Sequence, residues 1–299
     1  RRNVEFIRQW NPRHLYPLVD DKLRTKRLAL AAGMPVPQLF GVIETQHDIR
    51  DLPEIVAEQE AFVVKPAHGS GGNGVLVITG RRGDRFAKAS GALLDENELG
   101  HHISNMLSGL YSLGGQRDRV VVEYYVRCDP ELARISYRGV PDIRVIVFQG
   151  YPAMAMIRLP TRLSDGRANL HQGAVGVGIT LASGRTTAGV QEDRRVNEHP
   201  DTGKRLQGLA IPAWNRIMEM AANCFEMTGL GYLGVDIVVD RDLGPLILEL
   251  NARPGLAIQI ANSRGLHHRL LRIEQVAGRG LLPGQRLEFC REEFSSTGG

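Results

Sequence analysis

The stretch GVDIVVDRDLGPLILELNARPG, residues 234–255, decides the fold because it predicts a β-hairpin. Two β-rich runs, Val235–Val239 and Leu246–Leu250, flank the polar connection Asp240–Gly244, whose residues favour a turn. Alternate residues of a strand point to opposite faces, so the hairpin has an apolar face and a face that carries polar groups.

The polar face of this hairpin gathers oxygen-bearing side chains. We take a register in which Val239 faces Leu246. Asp236 then lies opposite Glu249 on the neighbouring strand. Asn251 follows Glu249 by two residues and points to the same face. Three oxygen ligands are therefore expected at one end of the ribbon.

Two interpretations of this polar group are open at this point. Adjacent carboxylates repel each other, so the arrangement is costly unless a cation sits between them. Hard oxygen ligands suit Mg²⁺, which keeps waters and completes its shell with substrate phosphates. The alternative is a surface hairpin whose polar residues face water.

Composition is that of an ordinary globular protein. The chain has 299 residues, 42% hydrophobic and 23% charged, which allows a large core and one to three domains. No apolar run approaches membrane-spanning length, and the first ten residues, RRNVEFIRQW, lack the apolar core of a signal peptide. We expect a cytoplasmic protein without a membrane span.

Cysteine usage and net charge indicate which kinds of site to expect. Three widely separated cysteines favour free thiols over a disulfide framework or a zinc site. The net charge of +4 is diffuse, and aromatic residues make up only 6%, so no basic stripe interleaved with aromatics indicates nucleic-acid binding. The charge balance fits the binding of anionic small molecules better than the binding of nucleic acid.

Periodicity and breaker residues predict the remaining elements. The predicted strands outside the hairpin are 38–43, 61–66, 75–79, 120–126, 142–149 and 153–159. The predicted helices are 21–32, 47–58, 86–94, 101–110, 205–228 and 265–278. Residues 1–20 are expected to be an irregular lead-in, and the residues after Gly280 a polar tail.

A lysine followed by a glycine-rich loop forms the second notable feature. Only five of the 37 basic residues are lysines, and Lys65 ends the apolar strand Ala61–Pro66. The loop His68–Gly74, HGSGGNG, follows directly, and glycines expose backbone N–H groups that suit phosphate oxygens. The order differs from a P-loop because the lysine precedes the glycines. A flexible turn beside a lysine that reaches solvent is the alternative.

Seven segments in order make the chain resemble a known superfamily. They are DKLRTKRLALAAGMPVP (21–37), VVKPAHGSGGNGV (63–75), VVEYYV (121–126), DIRVIVF (142–148), GRANLHQGA (166–174), GVDIVVD (234–240) and LELNARPG (248–255). The ordered set resembles the ATP-grasp superfamily and, within it, the RimK-type branch of ribosomal-protein glutamate ligases. The resemblance covers about residues 20–260.

The resemblance implies a fold and a domain plan. The fold would be α+β, with two α+β subdomains clasping ATP between antiparallel sheets and a reduced N-terminal domain. The expected domains are the lead-in 1–19, a subdomain with the glycine loop over 20–126, a subdomain with the magnesium site over 127–278, and the polar tail 279–299. The stretch Arg127–Val140 is longer than is typical of the RimK-type branch and could form a lid or a partner contact.

The resemblance also implies residue roles. Nucleotide-binding residues would contact the phosphates, the adenine amino group and the ribose: Lys22, Lys65, His68, Gly69, Ser70, Gly71, Gly72, Gly74, Glu123, Tyr124, Tyr125, Val126, Asp142, Arg167 and Asn169. Catalysis would rest on Lys65, Arg158 and Arg167, which would stabilise an acylphosphate. Two Mg²⁺ ions, replaceable by Mn²⁺, would bind Asp236, Glu249 and Asn251. From the residue alone, Glu123 could equally lie on a solvent face.

The function implied by the resemblance is ATP-dependent ligation of a carboxylate to an amine. The donor would be glutamate or another amino acid, and the acceptor an amine on a small molecule, peptide or protein. Two other functions remain open: an ATP-binding regulatory module without turnover, and an ATP-grasp kinase. A homo-oligomer is compatible with the sequence.

Overall fold

The computed structural model describes residues 2–69, 71–112 and 114–295. The chain divides into two compact units. The larger unit comprises Arg1–Asp20, Arg24–Val36 and Arg127–Gly299, and the smaller unit comprises Asp21–Leu23 and Pro37–Val126. Each unit has its own antiparallel sheet.

The smaller unit is built on a six-stranded sheet of order β1-β6-β2-β3-β4-β5. Every neighbouring pair is antiparallel. The strands are β1 (Leu39–Ile43), β2 (Phe62–Pro66), β3 (Leu76–Arg82), β4 (Arg85–Lys88), β5 (Leu93–Leu94) and β6 (Val120–Tyr124).

Helix α5 (Glu96–Leu107) covers this sheet. Four helices precede it in the chain: α1 (Arg8–Trp10), α2 (Pro17–Asp20), α3 (Lys22–Ala31) and α4 (Leu52–Ile55). A capping box begins α5, in which Asp95 and Glu98 each accept the other's backbone N–H. Leu99, Ile103 and Met106 recur at helical spacing and are fully buried in the core of the smaller unit.

The larger unit is built on a seven-stranded sheet of order β11-β10-β9-β8-β7-β12-β13. Its strands are β7 (Asp142–Phe148), β8 (Tyr151–Leu159), β9 (Val175–Ile179), β10 (Thr186–Gln191), β11 (Arg194–Val196), β12 (Tyr232–Asp240) and β13 (Gly244–Asn251). The central strands β7, β8 and β12 are buried along nearly their whole length. Their near-continuous apolar sequence is typical of a sheet that is covered on both faces.

Five helices complete the larger unit: α6 (Pro130–Ala133), α7 (Trp214–Thr228), α8 (Ala257–Ala261), α9 (His267–Ala277) and α10 (Pro283–Glu293). Helix α7 places Ile217, Ala221 and Cys224 in the main core with no exposed surface. None of the helices in the described ranges is long and apolar enough to cross a membrane.

Both ends of the chain are more ordered than the sequence predicts. The lead-in forms a π-helical turn (Asn3–Ile7), a 3₁₀ turn (Arg13–Leu15) and two short helices, and it buries Phe6 and Ile7. The prediction of a polar tail after Gly280 is wrong, because α10 forms there and buries Leu287 and Cys290. Isolated apolar residues in polar segments gave too weak a periodicity to reveal these contacts.

Three helix predictions need correction. Residues 86–94, predicted as helix, form the end of β4 and all of β5, because Gly91 turns the chain with φ 91° between them. The helix predicted over 205–228 begins only at Trp214, after Pro212 and a left-handed Ala213. The helix predicted over 47–58 is a 3₁₀ turn (His47–Asp51) followed by α4.

Candidate active site

The hairpin pairs Asp236 with Glu249, as the sequence predicts, but through a different register. Val238 faces Leu246, so the predicted Val239–Leu246 pairing is wrong by one residue. A bulge after Asp236 leaves Leu248 without a partner in the ladder, and this extra residue restores the Asp236–Glu249 pairing. The two acidic residues therefore lie opposite each other in the hairpin.

A ladder of charged residues runs across three strands of the larger sheet. Asp142 and Arg144 are two residues apart on β7 and so point to one face. Arg144 pairs with Asp236 on β12, and Asp142 pairs with Arg158 on β8. Acid and base thus alternate across β8, β7 and β12.

The side chains of this ladder form charge-assisted hydrogen bonds. Arg144 donates from Nε to Asp236 Oδ1 at 2.7 Å and from Nη2 to Oδ2 at 2.5 Å. Arg158 donates to both oxygens of Asp142 and, from Nη2 at 2.9 Å, to Asp236 Oδ2. Such bidentate pairs fix both distance and orientation.

Burial and the neighbouring arginines shift the pKa values of the two aspartates of this network in opposite directions. Asp142 and Asp236 are only 6% and 2% exposed. Burial alone would raise the pKa of Asp236, but the guanidinium groups of Arg144 and Arg158 hold that pKa below its ordinary value. Burial, with the neighbouring Asp236 carboxylate, raises the pKa of Asp142 against the charge of Arg158. The two arginines therefore keep Asp236 ionised.

Asn251 and Glu249 lie at the hairpin end of this ladder. Asn251 Nδ2 is 3.4 Å from Asp236 Oδ2, and both Asn251 and Glu249 are partly exposed. Within residues 2–69, 71–112 and 114–295, no three histidine, cysteine, aspartate or glutamate side chains gather as a metal site. The predicted metal-binding set, Asp236, Glu249 and Asn251, has two carboxylates and one amide, so it is not a group of this kind.

In the smaller unit, Lys65 and Glu123 form a buried ion pair. Lys65 is 5% exposed and Glu123 is 2% exposed. Val63 is the ladder partner of Glu123, so Lys65 reaches it from two residues along β2. Glu123 therefore does not lie on a solvent face, and the pair is a buried charged group at the end of β2.

The glycine loop begins beside Lys22. The Lys22 ammonium donates a hydrogen bond to the carbonyl of Gly69, and the Lys22 backbone N–H donates to Ala67 O at 3.0 Å. Within the loop, Gly71, Gly72 and Gly74 have φ of 65°, 77° and 76°, a region that only glycine adopts freely. Ser70, also predicted to bind nucleotide, lies outside the described residues.

His68 opens the loop and is held by Asp118. The His68 ring Nδ1 lies 2.7 Å from Asp118 Oδ1, and the His68 backbone N–H donates to Asp118 Oδ2 at 3.0 Å. Asp118 stands in no predicted motif.

The remaining predicted residues are Tyr124, Tyr125, Val126, Arg167 and Asn169. Tyr124 ends β6 and donates its backbone N–H to Gln38 O at 2.8 Å; Tyr125 and Val126 follow it. Arg167 is exposed, and Asn169 accepts the His171 backbone N–H at 3.0 Å. The structure does not bring Arg167 into the ladder of Asp142, Arg144, Arg158 and Asp236.

Sequence reasoning missed Arg144 and Asp118. Arg144 carried a usable signal, because it follows Asp142 by two residues and shares its face of the strand. Its contact with Asp236 depends on β7 lying beside β12, which the local pattern does not reveal. Asp118 carried no signal, because it precedes β6 in a polar loop.

The family follows from a comparison with models of protein families. A model described as "Sugar-transfer associated ATP-grasp" matches residues 1–275. The chain belongs to the sugar-transfer associated ATP-grasp family. The α+β fold with two antiparallel sheets agrees with this ATP-grasp assignment, and the resemblance to RimK-type proteins drawn from the sequence motifs is confirmed.

Curated relatives of this ATP-grasp chain are named "Probable alpha-L-glutamate ligase". The protein of Citrobacter koseri is 26% identical over 258 residues, which cover 84% of this chain and 64% of the relative. The protein of Serratia proteamaculans is 24% identical over 290 residues, which cover 94% of this chain and 74% of the relative. The chain thus spans less than two thirds of the length of the Citrobacter protein.

Solved structures with a similar fold include two ligases. The ATP-grasp ligase PsnB, complexed with minimal precursor, aligns with a TM-score of 0.49 at 15% identity, over 90% of this chain and 63% of that chain. The D-alanine–D-alanine ligase of Bacillus anthracis, complexed with ATP, aligns with a TM-score of 0.46 at 17% identity, over 94% and 67%.

Proposed function

We propose that this ATP-grasp chain is an ATP-dependent carboxylate–amine ligase that forms an amide through an acylphosphate. The observation that carries the proposal is the ladder of Asp142, Arg144, Arg158 and Asp236 beside Glu249. It combines oxygen donors for a cation with guanidinium groups for an anion. The names of the curated relatives support the reaction class and suggest glutamate as the donor.

The residues at the hairpin end fit Mg²⁺ by their donor chemistry. Asp236 Oδ1 accepts one hydrogen bond from Arg144, and a carboxylate oxygen offers two acceptor positions. Glu249 lies opposite, and rotation of the Asn251 amide would present its oxygen. Asp236, Glu249 and Asn251 would hold the ion. When bound, Mg²⁺ would neutralise phosphate charge.

The chain's own cations have separate tasks in this proposal. Lys65 and Lys22 bind the phosphate oxygens of ATP, and Glu123 accepts a hydrogen bond from the adenine amino group. Arg158 stabilises the charge on the phosphoryl group, with Asp142 and Asp236 fixing the plane of its guanidinium. Arg167 and Asn169 bind the substrate from the exposed loop after β8.

The proposed chemistry requires no nucleophile from the protein. A carboxylate oxygen of the substrate attacks the γ-phosphorus of ATP, and ADP leaves. The amine nitrogen then attacks the acyl carbon, phosphate leaves, and the amine loses a proton. The protein contributes orientation and charge stabilisation, which are the main sources of catalysis in phosphoryl transfer.

A trapping screen tests the reaction class without knowledge of the acceptor. The protein is incubated with ATP, Mg²⁺, hydroxylamine and each of the twenty amino acids, and products are read by mass spectrometry. Hydroxylamine converts an acylphosphate to a hydroxamate. We expect a hydroxamate and ADP with one or a few amino acids, glutamate first, and neither product with Glu249→Gln. ATP binding without hydroxamate from any carboxylate would favour the regulatory module.

A further inference from the structure

Hydrogen bonds hold His68, the first residue of the glycine loop, through both its backbone and its ring. His68 is tied twice to Asp118, through its backbone N–H and through its ring. Asp118 accepts two more hydrogen bonds, from the Ser112 hydroxyl and from the Arg119 backbone N–H at 2.8 Å. The carboxylate is thus surrounded by donors.

These bonds keep Asp118 charged although it is buried. Its side chain has no exposed surface. Burial alone would raise the pKa of Asp118, but the hydrogen bonds from Ser112 and His68 outweigh burial and lower that pKa. An ionised carboxylate accepts hydrogen bonds only, so the His68 Nδ1 atom carries the proton in this contact.

The opposite ring nitrogen of His68 lies near a second carboxylate, and the ring is partly exposed. The His68 side chain is 41% exposed, and its Nε2 lies 3.8 Å from Asp21 Oδ2. Lys22, the next residue, donates to the carbonyl of Gly69. Two nitrogen groups, His68 Nε2 and Lys22 Nζ, therefore lie at the first two residues of the loop.

We propose that Asp118 is a positioning residue for phosphate recognition: it holds Nδ1–H and so fixes the direction of the His68 ring, and Nε2, when it also carries a proton, donates a hydrogen bond to a nucleotide phosphate. The inference rests on the proposed ATP-dependent function and adds to it a residue outside the recognised motifs. Asp118 acts through His68 and does not touch the nucleotide. A role as a loop anchor alone is the alternative that the test must separate.

The test is a double-mutant cycle read by calorimetric binding of adenosine, AMP, ADP and ATP. His68→Asn keeps a donor near the Nδ1 position and removes Nε2, whereas Asp118→Ala removes the tether. Each substitution is expected to weaken ATP binding about tenfold or more, the value of one charge-assisted hydrogen bond. Adenosine binding is expected to stay unchanged. The double variant is expected to bind ATP as weakly as either single variant, because both changes remove one contact.

Control variants separate an effect on the position of His68 from a general loss of stability. Asp95→Ala removes another carboxylate of the smaller unit that accepts a backbone N–H, at 2.8 Å from Glu98, and it should leave ATP binding unchanged. If Asp118→Ala does not fold, Asp118→Asn completes the same cycle.

Four outcomes decide the inference. Non-additive loss confined to the phosphorylated ligands supports it. Wild-type affinity for ATP in the Asp118 variants, additive losses, or an equal loss for adenosine would each overturn it while leaving the ATP-dependent function intact. Failure of the wild-type protein to bind ATP at all would instead overturn the proposed function.

Discussion

Arg144 donates hydrogen bonds to both carboxylate oxygens of Asp236 across the β7–β12 pair, from Nε to Oδ1 at 2.7 Å and from Nη2 to Oδ2 at 2.5 Å. Both residues are largely buried: their side chains are 13% and 3% exposed. Breaking a buried pair leaves an uncompensated charge, which is more costly than the pair itself is stabilising. The pair therefore makes a direct prediction about stability.

Arg144→Met should lower the free energy of unfolding by about 3 kcal/mol, since Arg158 alone then faces two buried carboxylates. Urea unfolding measures this change. Arg134→Met is the matched control, because it ends an exposed ion pair with Glu131 and should cost less than about 1 kcal/mol. Equal effects of the two substitutions would show that the Arg144 contact contributes little.

Lys65→Met should weaken ATP binding about tenfold or more, because it removes a charged phosphate ligand and leaves Glu123 buried without its partner. Titration calorimetry with ATP gives the dissociation constant. Lys88→Met, on β4 of the same sheet, removes a lysine with no assigned role and should not change it. Unchanged affinity in Lys65→Met would remove this residue from the proposed phosphate site.

Gly139→Ala should destabilise the larger unit by about 2 kcal/mol through overpacking. A Cβ at this position would lie 1.8 Å from the carbonyl oxygen of Gly166, which precedes Arg167. The same change at Gly265, where a Cβ meets nothing within 4 Å, serves as the control. Thermal unfolding compares the two. A neutral Gly139→Ala variant would mean that the segment 127–140 packs loosely on the loop of Arg167.

His199 should make stability depend on pH. Burial lowers the pKa of its ring, which contacts the carbonyl of Pro160 at 2.9 Å. The unfolded chain then binds the proton more readily than the folded chain, so stability falls as pH drops below about 6.5, by at most about 1.4 kcal/mol per pH unit. Urea unfolding at pH 5.5 and 7.5 should show a smaller difference in His199→Gln than in the wild type. The exposed His101→Gln should retain the wild-type difference, and an unchanged difference in His199→Gln would refute the assignment.

The sequence predicted those parts of the candidate site that depend on local pattern. The pairing of Asp236 with Glu249 was predicted from strand alternation and turn chemistry, but in the structure it depends on a bulge at Leu248 that the sequence pattern did not reveal. The glycine loop was visible from composition alone. These features reside in contiguous residues, so no knowledge of the topology was needed.

The remaining features depend on which strands are neighbours. Arg144 meets Asp236 only because β7 lies between β8 and β12, and this contact joins residues that are 92 positions apart in the sequence. The contact of Asp118 with His68 joins two loops across the smaller unit. Helix α10 was missed because two buried residues in a polar segment give no clear period.

The central claim is that a substrate carboxylate is activated as an acylphosphate, and positional isotope transfer tests it most directly. The protein is supplied with ATP, Mg²⁺, hydroxylamine and the amino acid that forms a hydroxamate, labelled with ¹⁸O in its carboxylates. Phosphorus NMR then reads the released phosphate. We predict one ¹⁸O atom in each phosphate, because the carboxylate oxygen leaves with the phosphoryl group. Release of ADP with unlabelled phosphate only, or with the phosphoryl group retained on the substrate, would contradict the ligase mechanism.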